Sequence, residues 1–310
     1  MKLTILSLLL FLNFNFIVAQ TAEEYNLQSI EKANEGKYSA ALKDIDKALE
    51  IDSLNIEYLI SKAYLHYDLK EFQESYNVFS HVIFLDGNSV SYNGRGMVME
   101  TVGEMEMAIE DYSMAIDNAE NDTIRASALS NRAASYSKIR NFNLAYEDLI
   151  KAYSIDSTSL SVLTNLGAIC DEIGKGDETL KYLLKALEVD PDFYPAYGNI
   201  GYKYQEMGQH EMAIKYYDKV LEFNPEEPLG YSNRSFNYYK LGDFKQAMKD
   251  IDKSLKLYPS NSYAYRVKAL ILLKDGKTEK ACENLQIAIE YGFTERFGNE
   301  VLSLQREFCK

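Results

Sequence analysis

Residues 194–227 read YPAYGNIGYKYQEMGQHEMAIKYYDKVLEFNPEE. In the first half, Tyr197, Ile200, Gly201 and Tyr204 recur at spacings of 3, 4 and 7, which places them on one face of an α-helix. Gly208 then breaks that helix, and Ala213, Tyr217, Val220 and Leu221 mark a second one that Pro225 stops. Two helices and a turn within 34 residues predict a helical hairpin.

The pattern repeats in both directions. One small-residue slot holds Ser29, Ala63, Gly96, Ala133, Gly167, Gly201, Ser235 and Ala269, and a second, twelve residues later, holds Ala41, Ser75, Ala108, Ala145, Thr179, Ala213, Ala247 and Ala281. Four residues after the second slot stands a large residue: Ile45, Phe79, Tyr112, Leu149, Leu183, Tyr217, Ile251 or Leu285. Small residues let two helix backbones approach, with Gly201 expected opposite Ala213, and the large residue fills the space between hairpins. A fixed period over nearly the whole chain predicts a stacked array, whose core grows along one axis with each unit.

The units are placed at 22–55, 56–88, 89–122, 126–159, 160–193, 194–227, 228–261 and 262–295, with residues 123–125 as an insertion lengthening the third loop. Gly36, Gly103, Gly174, Gly208, Gly242 and Gly276 occupy the turn between the paired helices, where a positive φ costs glycine little. Lys70 and Arg140 replace it in two units, whose turns are therefore expected to differ in shape. After the last unit, Phe297, Val301, Leu304 and Phe308 recur at 4, 7 and 11, predicting a capping helix over 296–310 that covers the exposed end of the array.

The unit at 194–227 resembles the tetratricopeptide repeat, whose pattern W-x2-L-G-x2-Y, then A-x3-F, then A and P, is met by Tyr197, Ile200, Gly201, Tyr204, Ala213, Tyr217, Val220 and Pro225. The resemblance implies an all-α, right-handed superhelix (an α-solenoid) of eight helical hairpins with a C-terminal cap. It also implies a scaffold for protein or peptide partners, with a concave wall formed by the second, fifth, sixth, ninth, twelfth and thirteenth positions of each first helix. At the sixth position stand Asn131, Asn165, Asn199 and Asn233 in four successive units, resembling the asparagine ladder of peptide-binding superhelices. One Asn side chain carries both a donor and an acceptor, so an evenly spaced row matches the two backbone groups of an extended peptide. Tyr202, Phe236 and Tyr239 at neighbouring slots would take its side chains; packing within the array is the competing role for Asn and Tyr alike. The carboxylate clamp of chaperone adaptors requires Lys at the fifth position, and none of Asn26, Ile60, Asn93, Ser130, Thr164, Gly198, Ser232 and Arg266 is Lys. A second reading has the array self-associating or docking envelope proteins through its convex face.

Residues 1–19 form a separate object: Lys2, an apolar run from Leu3 to Val18, and a small residue at Ala19. This is the layout of a signal peptide cleaved after Ala19, which predicts a secreted or periplasmic protein whose mature chain does not span a membrane; a retained anchor is the rival reading. Removing it takes away only Lys2, leaving 32 basic against 47 acidic residues. The net charge of −14 already repels nucleic acid and anionic surfaces.

In an exported chain, Cys282 on the last repeat and Cys309 on the cap are expected to form a disulfide, with two reduced thiols as the alternative, and Cys170 to be an inert core residue. His66, His81 and His210 stand alone, and no phosphate loop, nucleophile elbow or metal-ligand spacing is present. The expectation is a non-enzymatic protein with no catalytic residues, metal, cofactor or small-molecule substrate.

Overall fold

The computed structural model describes residues 20–309, so the expected signal peptide over residues 1–19 lies outside the described residues. Every regular element among them is an α-helix. The chain divides into two compact units, one ending at Ile124 and one beginning at Arg125. In the first, α1 (Ala22–Asn34) pairs with α2 (Tyr38–Ile51), α3 (Ile56–Asp68) with α4 (Phe72–Leu85), and α5 (Ser89–Val102) with α6 (Met105–Asp117). In the second, α7 (Asp122–Lys138), which starts three residues before the boundary, precedes α8 (Phe142–Ile155). The pairs α9 (Leu160–Glu172) and α10 (Gly176–Val189), α11 (Tyr194–Glu206) and α12 (His210–Phe223), α13 (Pro228–Lys240) and α14 (Phe244–Leu257), and α15 (Ser262–Lys274) and α16 (Thr278–Glu290) follow. The chain ends in α17 (Phe293–Phe297) and α18 (Glu300–Phe308).

The hairpins close as the small-residue slots require. Ser75 Oγ donates to the carbonyl of Ala63 and Ser235 Oγ to that of Ala247, both at 2.8 Å, so the two slots do face each other. The closest neighbour of the first slot is nevertheless the large residue on the second helix. A Cβ built on Gly201 would lie 3.1 Å from the Tyr217 ring, one on Gly96 2.8 Å from Tyr112, and one on Gly167 2.7 Å from Leu183. The eight large residues from Ile45 to Leu285 are each at most 1% exposed, and burial of each stabilises the fold by on the order of 2 kcal/mol.

Three expectations are corrected. Lys70 and Arg140 adopt φ of 62° and 61°, close to the 71° of Gly208, so their turns have the glycine shape. The same backbone bonds close them: Glu71 N–H to His66 O at 2.9 Å and Asn141 N–H to Tyr136 O at 2.8 Å, against Gln209 N–H to Tyr204 O at 2.9 Å. Thr123, Ile124 and Arg125 do not lengthen a loop; they are helical, and make α7 17 residues long where the other first helices have 13 or 14. The segment 296–310 is not one capping helix, because Gly298, at φ 83°, separates α17 from α18. Phe293 and Val301 are buried against Leu285 and Ala288, with Leu304 beside them, but Phe297 and Phe308 remain 53% and 39% exposed. Cys282 and Cys309 are bonded, with Cα atoms 5.7 Å apart, and the 27-residue separation corresponds to roughly 3 kcal/mol of chain-entropy stabilisation.

A further regularity is electrostatic. Arg95, Arg132 and Arg234, at the seventh position of their repeat units, each make a two-pronged contact to an aspartate sixteen residues on: Asp111, Asp148 and Asp250, at 2.7–2.9 Å. These aspartates are buried, and such forks combine charge with fixed geometry. In the two intervening units the same positions hold Leu166 with Tyr182 and Ile200 with Tyr216, an apolar solution to the same contact.

Two outcomes follow for stability in denaturant melts. Arg140→Gly should stabilise by about 0.5–1 kcal/mol, since it relieves a left-handed non-glycine residue at a smaller cost in chain entropy. Asp148→Ala should destabilise by about 3 kcal/mol, because it removes the carboxylate that takes both prongs of the Arg132 guanidinium, whose side chain is only 18% exposed.

Candidate functional site

The first helices of successive hairpins in the second unit lie side by side, and two clefts open between them. The first, of about 360 Å³, lies between α11 and α13 and is lined by Asn199, Tyr202, Leu229 and Asn233 over a floor of Tyr217 and Val220. The second, of about 280 Å³, lies between α9 and α11 and is faced by Asp171, Glu172, Asn199, Tyr202 and Glu206, with Leu183 and Thr179 beneath. Asn199 and Tyr202 form the ridge shared by both.

Of the residues expected to bind a peptide, Asn199, Asn233 and Tyr202 are thus brought to one cleft. Asn131 and Asn165 occupy the equivalent positions on α7 and α9, half-buried, and line neither cleft. No hydrogen bond of the Asn165, Asn199 or Asn233 side-chain amides is found among the described residues, which leaves their donors and acceptors open. Phe236 is engaged elsewhere: its ring packs at 6.2 Å from that of Tyr263 and 6.4 Å from those of His210 and Tyr239, with the Arg266 guanidinium 4.8 Å above it. Tyr239 borders a separate cleft with Phe244 and Lys274. These two rings brace α13 against its neighbours and stand apart from the shared ridge.

The ridge is held by polar contacts on α11 and α13. Asn237, fully buried, donates to Gln205 Oε1 and to the Asn233 carbonyl, both at 2.8 Å, and its Oδ1 lies 2.8 Å from His210 Nδ1. Lys203 bridges from α11 to Asp171 on α9 and lies 3.5 Å from Glu206. Burial works against the Lys203 ammonium, but the Asp171 and Glu206 carboxylates outweigh it and raise its pKa. Burial and the adjacent Glu206 carboxylate also hold the Tyr202 hydroxyl above the usual phenol range.

Two hydroxyls beneath the clefts are anomalous. Tyr217 Oη and Thr179 Oγ1 are buried without a hydrogen-bond partner, and burial pushes the Tyr217 pKa upward. Each such orphan costs about 1–3 kcal/mol of desolvation. Cys170 is buried in the core of α9, and burial moves its thiol up to about 11, away from the range of a reactive thiolate. Among the described residues no group of three His, Cys, Asp or Glu side chains is placed to hold a metal ion, and no helix is long and apolar enough to cross a membrane.

Asp171, Glu172 and Glu206 are absent from the expected site, although they occupy the twelfth and thirteenth positions that the resemblance assigns to the concave wall. Their spacing along the helix was legible; their convergence needed α9 and α11 side by side.

Tetratricopeptide repeat models match residues 160–193, 194–227 and 228–261, the three units that build both clefts. No curated protein sequence matches the chain. Among solved structures, YrrB, described as a TPR protein with an unusual peptide-binding site, is 19% identical with a TM-score of 0.51, covering 61% of this chain and 97% of its own. The C-terminal part of a TPR repeat-containing protein from Cytophaga hutchinsonii is 18% identical with a TM-score of 0.57, covering 78% and 98%. The Cut9–Hcn1 hetero-tetramer of the APC/C matches at 15% identity and a TM-score of 0.65, covering 88% of this chain and 53% of that one. These likenesses establish the fold, a stack of tetratricopeptide-type helical hairpins, and the matched models establish tetratricopeptide repeats over residues 160–261.

Removing the orphan hydroxyl isolates its cost. Tyr217→Phe should leave packing intact and raise stability by about 1 kcal/mol, as read from the unfolding midpoint; a loss of that size would mean that the hydroxyl has a partner in solution.

Proposed function

We propose that this stack of tetratricopeptide-type hairpins is a non-enzymatic interaction scaffold that holds an extended segment of a protein partner in the groove crossing α9, α11 and α13. The observation that carries the reading is Gly198. It sits inside α11, where glycine is about 1 kcal/mol less favourable than alanine, yet a Cβ there would meet nothing closer than Val220 Cγ2 at 3.9 Å. Packing does not require glycine at this position; an open cleft does. Its neighbour Asn199 offers an uncommitted amide to a passing backbone, and the half-exposed Tyr202 ring offers contact area at low entropic cost. The description of YrrB as peptide-binding agrees with this reading.

The proposal includes export, with cleavage after Ala19. The layout of residues 1–19 supports it, as does the Cys282–Cys309 bond, which requires an oxidising compartment to persist.

The test is capture of crosslinked partners from the native host by wild type and by Asn199→Ala/Asn233→Ala. The double variant should melt like wild type, while capture falls by roughly tenfold to thirtyfold, the equivalent of two lost hydrogen bonds. Undiminished capture by a folded double variant refutes the groove.

A further inference from the structure

The two clefts that share Asn199 and Tyr202 are chemically unlike. Between α11 and α13 the floor is the Tyr217 ring and Val220, flanked by Leu229, with one carboxylate, Glu227, at the rim. Between α9 and α11 three carboxylates, Asp171, Glu172 and Glu206, face a single cation, Lys203, which gives that lining a net charge of −2 by simple count. Lys203 reaches Asp171, and its side chain is only 14% exposed. Glu172 and Glu206 are 49% and 42% exposed, and the nearest other cation, Arg140, stands 4.0 Å from Glu172 on a side chain that is 79% exposed. Lys203 is shared between Asp171 and Glu206, and Glu172 has only the loosely placed Arg140, so the acidic cleft stays net negative and open to solvent, beside an apolar cleft that glycine keeps open.

The two linings also share one feature. Each cleft has a buried, unpartnered hydroxyl in its lining, Tyr217 Oη in one and Thr179 Oγ1 in the other.

We propose that the occupant is an extended basic–apolar peptide segment, with an apolar side chain seated over Tyr217 and Val220 and a Lys or Arg seated between Glu172 and Glu206. This rests on the groove reading above and adds the chemistry of the partner to it. Helices packed side by side lie about 8–10 Å apart, and Glu206 stands about 8–12 Å further along α11 from the level of Gly201 and Gly198, so the anchors lie roughly 11–16 Å apart on the diagonal and, at about 3.3 Å per extended residue, about four positions apart. The intervening backbone crosses the ridge at Asn199, whose amide pairs with it. An acidic segment of the same shape is repelled, which makes the pair of clefts a discriminator by charge as well as by shape.

The experiment uses the purified protein and fluorescein-labelled decapeptides, acetylated and amidated, in a Gly/Ser background. One pair carries Leu and Arg four positions apart, in either order, and the matched pair carries Leu and Glu. By anisotropy at low salt, the better Leu/Arg peptide should bind at least tenfold more tightly than either Leu/Glu peptide, with the ratio shrinking as salt is added. Glu172→Lys/Glu206→Lys should reverse the preference, and Gly198→Leu, which fills the apolar cleft, should weaken every peptide at least tenfold. If both charge types bind alike and Gly198→Leu abolishes both, the groove stands and the charge proposal fails. If binding persists unchanged in Gly198→Leu, the groove itself fails, and no binding of any peptide overturns both. Thermal melts of each variant establish folding; should Gly198→Leu not fold, Asn199→Ala/Asn233→Ala carries the same readout.

Discussion

The fold depends on one contact, repeated: a large side chain on the second helix of each hairpin pressed against a small residue on the first. Where the large residue is tyrosine, only glycine leaves room, as with Gly96 beneath Tyr112 and Gly201 beneath Tyr217. Where it is Ile45, Leu149, Ile251 or Leu285, the opposing slot holds Ser29, Ala133, Ser235 or Ala269. In the remaining two hairpins Leu183 faces Gly167 and Phe79 faces Ala63, taking further room beside Gly94 of the next hairpin, so the trade of volume is kept in six of the eight; interiors are close-packed, and an added methyl group without space forces the helices apart. Closing each hairpin this way also sets the lateral spacing of the first helices, and hence the width of the clefts between them.

Beside that contact lies a second one with two solutions. Leu166 and Tyr182 are both buried, and Ile200 is buried with a half-buried Tyr216 stacked on Tyr204, while Arg132 with Asp148 and Arg234 with Asp250 use a fork of charged hydrogen bonds. The Arg solution adds little net stability over an apolar pair, since desolvation offsets attraction, but it fixes direction as an apolar contact does not. Arg234 reaches both ways, to Asp250 on its own hairpin and to Asp218 on the preceding one at 2.7 Å. It therefore ties α13, one wall of the apolar cleft, both to its own partner helix α14 and to the preceding hairpin. The apolar solution appears where the two clefts lie, in the units that begin at Leu160 and Tyr194, and there the cross-link between hairpins is instead made by Lys203 and Asp171 at the cleft itself.

Most of the architecture was legible because it rests on residue size at a fixed period, which sequence reports directly. The hairpins, the buried residue of each and the glycine turns needed nothing more. The departures came where local chemistry and tertiary closure disagree. Lys70 and Arg140 have no intrinsic taste for a positive φ, but the backbone bonds that end α3 and α7 leave no other conformation. The helical period of Phe297, Val301 and Leu304 runs straight across Gly298, so the break between α17 and α18 was masked by the pattern that predicted a single helix. The candidate site was legible only in part. Asn199, Asn233 and Tyr202 were found from their register, whereas Phe236 was assigned to the groove by register alone and turns out to be stacked among Tyr263, Tyr239 and His210. Register gives the face of a helix, but not whether that face is already occupied by the chain's own side chains.

Glycine separates the two demands on this sequence. Gly94, Gly96, Gly167 and Gly201 lie where an added Cβ would come within 2.3 to 3.1 Å of a neighbouring ring or leucine, so stability explains them. The turn glycines with φ between 71° and 93° are explained by backbone conformation. Gly198 belongs to neither group: it is helical, its φ is ordinary, and the space beside it is open. A helix interior that forgoes about 1 kcal/mol relative to alanine, beside an uncommitted Asn199 and above an unpaired Tyr217 hydroxyl, is a local conflict without a folding rationale. Two such conflicts, the helical glycine and the buried hydroxyl, meet at one cleft, and the glycine, which packing does not ask for, supports the reading of that cleft as the place where a partner is held.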